Sequence, residues 1–138
     1  MLSKALLSIT DANGIIDAAL IEAEQHHWHI AIAVVDDGGH PLALHRMDNS
    51  APISAYLALE KARSAALGRR ETKLYEDMIN QGRFAFLSVP EISGTLEGGV
   101  PVVVDGQVVA AVGVSGVLPH QDAQVAKAGV EGLALEAV

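Results

Sequence analysis

Gly98 to Gly129 reads GGVPVVVDGQVVAAVGVSGVLPHQDAQVAKAG, and this stretch decides the fold. Val102–Val104 and Val108–Val114 are valine-rich runs suited to buried strands. Between them Asp105-Gly106 is a strong signal for a two-residue hairpin turn. Ser115-Gly116 ends the second strand, and Pro119 suits the first turn of a helix running to about Glu136. Val125, Gly129 and Leu133 supply the inner stripe of that helix. A strand that reaches a helix N-terminus through glycine leaves backbone N–H groups free, and these suit a carboxylate. Ser115 and Gly116 are therefore candidates for anion or substrate binding. The plainer alternative is that Gly113 and Gly116 only let the chain turn.

Upstream, Thr10 or Asp11 can cap a first helix reaching about His27, with Ile15, Ile16, Ala19, Leu20 and Ala23 at helical spacing. Ile30–Val35 is an apolar strand, Asp36 to His40 a turn, and Leu42–Met47 a second strand. Ser50-Ala51-Pro52 opens a helix from Ile53 to about Gly68, whose Ala58, Ala62, Ala65 and Ala66 form a smooth face. A more polar helix covers Thr72 to about Gln81, and Arg83–Glu97 reads as a loop with one short strand. The order α-ββ-α-α-ββ-α excludes a doubly wound parallel sheet, because each hairpin pairs antiparallel. It predicts an α+β domain: one antiparallel sheet of four to five strands between helical layers. Without repeats or a linker, residues 1–138 form a single domain in this reading.

The composition narrows the chemistry. Half the residues are hydrophobic and only 4% aromatic, so Ala, Val and Leu do the packing. There is no cysteine, which rules out disulfides, thiolate metal sites and a cysteine nucleophile. A net charge of −8 argues against nucleic acid or an anionic membrane as partner. The start of the chain is too soon polar for a secretory signal, and no apolar run spans a membrane, so a cytoplasmic location is expected. Seven of the nine Lys and Arg residues lie between positions 46 and 83, giving this segment +2 against −10 for the rest. An anionic ligand would approach there, although a mixed, solvated helical face has the same composition.

Six histidines invite a metal reading. His26, His27 and His29 cluster at the end of the first helix, but adjacent helical residues diverge too far to share one metal ion. His45 lies in His45-Arg46-Met47-Asp48 and is the candidate acid/base group. Strand alternation turns His45 and Arg46 to opposite faces, so a shared ligand needs help from the strand end. Phosphate-binding loops, GxGxxG, HExxH and GxSxG are all missing from the sequence, and Ser115 reads as a turn residue.

Taken together, AVVDDGGHPLALHRMD (Ala33–Asp48), KARSAALGR (Lys61–Arg69), the Gly98–Gly116 hairpin and QDAQVAKAG (Gln121–Gly129) resemble the GlcG/HbpS-type haem-binding family. The resemblance spans nearly the whole chain. It implies a profilin-like three-layer α/β/α fold, assembly as homo-oligomers, often octamers, and haem as cofactor. It further implies that Arg46, Lys61 or Arg63 holds the haem propionates while His45 or His27 contacts iron, with no other metal. Some members handle haem or peroxide and others accompany catabolic genes, which leaves enzymatic activity open. The alternative is an enzyme or accessory protein of a catabolic pathway, with a small carboxylate substrate at Ser115-Gly116 and His45 as acid/base. A third is a purely interacting protein whose Ala-rich faces serve assembly. Relatives often carry a small polar residue before the proline, whereas Leu118 here removes that N-cap.

Overall fold

A computed structural model describes residues 1–136, so Ala137 and Val138 of the expected domain lie outside the described residues. Asp105 and Gly106 both take left-handed φ values, 51° and 76°, as a type I′ turn requires. They join β3 (Gly99–Val104) to β4 (Gln107–Ser115) in antiparallel register, from Val104 opposite Gln107 to Gly99 opposite Gly113. The other hairpin joins β1 (Ala31–Asp36) to β2 (Pro41–Arg46). Its turn is held by Asp36, whose carboxylate accepts the Gly38 and His40 N–H groups at 2.9 Å each. β1 then pairs antiparallel with β4, giving one sheet of four strands in the order β2-β1-β4-β3.

Helices cover both faces. On one side lie α1 (Ile9–Gln25) and α4 (Pro119–Glu136), with Ile15, Ile16, Ala19 and Val125 packed against Ile32, Val34, Val112 and Val114. On the other lies α2 (Ile53–Gly68), whose Ala58, Ala62, Ala65 and Ala66 meet Ala31, Ala33, Val35 and Ala111. Being covered twice, the central strands β1 and β4 are buried along almost their whole length, which explains their near-continuous apolar sequence. α3 (Thr72–Asn80) follows α2 as expected.

Two local expectations are corrected. The first helix is capped by Ser8, not by Thr10 or Asp11. The Ser8 hydroxyl accepts the Asp11 N–H at 3.0 Å, and the Asp11 carboxylate accepts the Ser8 N–H at 3.2 Å, forming a capping box. Between Arg83 and Glu97 there is no strand but a 3-10 turn at Phe84–Ser88. Side chains satisfy the backbone beyond that turn. Ser64 Oγ accepts the Gly94 N–H at 2.9 Å, and Thr72 Oγ1 donates to the Leu96 carbonyl at 2.6 Å while accepting the Gly99 N–H at 2.8 Å.

Candidate functional site

His45 and Arg46 close the β2 edge strand. Ile32 stands opposite His45 and Ala31 opposite Arg46, so the two side chains belong to opposite faces of the sheet, as alternation predicts. The strand end brings them together nonetheless. Met47 continues the pairing by donating its N–H to the Ile30 carbonyl at 2.9 Å. The chain then turns through Asn49 at φ 68°, held by Ser50 Oγ donating to the Met47 carbonyl at 2.7 Å. Asparagine tolerates this left-handed conformation better than most residues.

The turn places His45, Arg46, Met47, Asp48 and Asn49 along one open cleft of about 360 Å³. Leu20 and Glu24 of α1 form its opposite wall, and His29 completes it. His29, His45 and Arg46 are all exposed, and Arg46 forms no ion pair among the described residues. The cleft thus combines two imidazoles, a thioether, an uncommitted guanidinium and two carboxylates. His29 carried no functional expectation. Its signal was position: it lies two residues before β1, the strand that pairs with Arg46.

The other sequence candidates lie elsewhere. His27 sits just past α1 at φ 58° and is exposed outside the cleft, while its neighbour His26 stacks on Trp28 at 4.3 Å and pairs with Glu22. Arg63 pairs with Glu60 on α2 at 3.0 Å. Lys61 is only 2% exposed; its Nζ donates to the Val114 carbonyl at 2.9 Å and to Asp122 Oδ2 at 3.1 Å. Its charge is committed to this buried pair, which corrects the expectation of a ligand-binding lysine.

The corner after β4 is corrected in the same way. Asp122 Oδ1 accepts the Val117 N–H at 3.1 Å, and Gln121 Oε1 accepts the Leu118 N–H at 3.2 Å. These two side chains cap α4 from within, supplying what Leu118 cannot. Ser115 is buried, and a Cβ on Gly116 would lie 2.5 Å from the His29 carbonyl oxygen. The corner glycine therefore serves close packing, and the chain's own carboxylate takes the place of a ligand. Burial pushes the Asp122 carboxyl up to about 6, against the opposing pull of Lys61 and the Val117 N–H. The sequence hint for Asp122 was an acid in the first turn of a helix.

Residues 7–131 match the family model described as haem degrading protein HbpS-like. The chain belongs to the HbpS-like family. Protein GlcG of Escherichia coli K12 is 60% identical over 115 residues, which cover 83% of this chain and 85% of that one. Among solved structures, a double mutant of Streptomyces reticuli HbpS superposes with a TM-score of 0.85 at 30% identity, covering 95% of this chain and 89% of that one. The Klebsiella pneumoniae protein ORFY superposes with a TM-score of 0.89 at 26% identity, covering 96% and 94%. The HbpS-like match takes in every residue of the cleft, from Leu20 to Asn49.

Proposed function

We propose that this HbpS-like protein binds haem, as a homo-oligomer in the cytoplasm, through the cleft at the end of β2. The observation that carries this reading is the donor set of that cleft in a member of a family described as haem degrading. Imidazole and thioether are the side chains that commonly hold haem iron, and His45, His29 and Met47 offer them side by side. Arg46 adds the guanidinium that a propionate requires, free of any competing carboxylate pair among the described residues. His45 is the proposed iron ligand and Arg46 the propionate ligand, while Lys61 and Arg63 serve the fold. Bound haem would supply an iron centre for peroxide chemistry, with the protein setting access and orientation.

Hemin titration of the purified protein tests this. The expected result is a saturable Soret band shifted from that of free hemin, altered in position by His45→Ala and weakened by Arg46→Ala. A spectrum matching free hemin, or one that both substitutions leave unchanged, would sink the assignment. Native mass measurement and cell fractionation check the oligomer and its location.

A further inference from the structure

The cleft has two chemically distinct poles. Arg46, Asn49 and the imidazoles offer hydrogen-bond donors, while Glu24 and Asp48 offer acceptors and negative charge. We propose that this is a monocarboxylate site anchored on Arg46, taking small hydroxylated acids; the proposal rests on the cleft assigned above and names its ligand chemistry.

Four features support it. First, the guanidinium matches a carboxylate in both charge and geometry, and it forms no ion pair among the described residues. Secondly, Glu24 and Asp48 repel a second anionic group, which favours one carboxylate over two. Their lone pairs accept from a hydroxyl instead, so the remaining polar groups of the ligand are donors. Thirdly, Met47 and Leu20 cover a short carbon skeleton. Fourthly, a volume of about 360 Å³, roughly a dozen waters, lets a small organic acid enter together with hydrating water. One carboxylate chemistry then has two sources, a free acid or the propionate edge of a haem.

Calorimetric titration of the full chain separates them, with lactate and acetate as probes, lactamide as the uncharged analogue and succinate as the diacid. Lactate should bind saturably and more tightly than acetate; lactamide should be weaker by about ten-fold or more, as loss of a charge-assisted contact implies, and succinate weaker than lactate because Glu24 and Asp48 repel its second carboxylate. Arg46→Ala should weaken lactate to a similar extent, and Arg46→Lys less. Circular dichroism confirms that the variants fold. Absence of a saturable response to lactate, or equal binding of lactamide or by Arg46→Ala, overturns the proposal. If hemin gives its shifted Soret band while lactate fails, this inference falls and the haem reading stands. If lactate binds and hemin does not, the reverse holds. Competition of lactate with hemin supports both through a shared carboxylate contact.

Discussion

Gly113 and Gly106 show how differently two glycines of one hairpin are constrained. At Gly113 a Cβ would lie 2.0 Å from the Ala58 carbonyl oxygen and 2.5 Å from the Ala62 nitrogen. Those are backbone atoms of α2, so nothing there can rotate away, and the helix itself would have to lift from the sheet. Gly106 meets nothing within 4 Å, and its only demand is a φ of 76°. Gly113→Ala should therefore destabilise by about 3 kcal/mol or more, the upper range for overpacking. Gly106→Ala should cost only about 1–2 kcal/mol, the left-handed penalty of an L-residue. Urea denaturation of both variants measures the contrast. Equal losses would mean that α2 does not rest on β4 as closely as described.

Lys61 and Asp122 join helices that lie on opposite faces of the sheet, α2 and α4, around the end of β4. Removing either partner leaves a buried charge unpaired, and Lys61→Ala or Asp122→Ala should cost about 3–5 kcal/mol. The double substitution Lys61→Met with Asp122→Leu should recover most of that loss, because an apolar pair has no desolvation penalty. The sign of the pH dependence follows from Asp122. Its folded-state pKa of about 6 lies above the ordinary value of 3.8, so the folded protein takes up this proton first. Stability from this site therefore rises as the pH falls from 7 through 6 and levels off below about 4, and Asp122→Asn should lack that rise in thermal melts. The elements themselves were legible, since valine runs, Asp105-Gly106 and the alanine spacing of α2 are local signals. This pair was not. Periodicity assigns a residue to a face but does not name a partner 61 positions away, so Lys61 read as a free cation. The same limit hid Asp122 as the internal occupant of the corner and His29 as a wall of the cleft.

The alanine-rich face of α2 looked available for assembly from sequence, but the folded molecule spends it internally, with Ala58, Ala62, Ala65 and Ala66 at 0–2% exposure against β1 and β4. The proposed self-association must then use other apolar surface. Leu74 of α3 and Phe84 and Leu87 of the 3-10 turn are 50%, 66% and 65% exposed. The turn is anchored mainly through Phe86, whose ring meets Tyr75 of α3 at 5.8 Å, so Phe84 and Leu87 carry little of the fold. Phe84→Glu with Leu87→Glu should therefore shift the thermal midpoint little, as exposed substitutions usually do. In native mass spectra the same double variant should collapse the proposed homo-oligomer towards monomer, because two carboxylates would be desolvated at the contact. An unchanged oligomer would move the interface to another set of exposed apolar residues, such as Leu44 of β2 with Ile53 and Tyr56 of α2. That alternative has a separate consequence. Because Leu44 and Arg46 share a face of β2, an interface there would alter access to the cleft, and Tyr56→Glu would then change hemin uptake together with mass. The α3 interface predicts that mass changes while hemin uptake by the cleft of each subunit is retained.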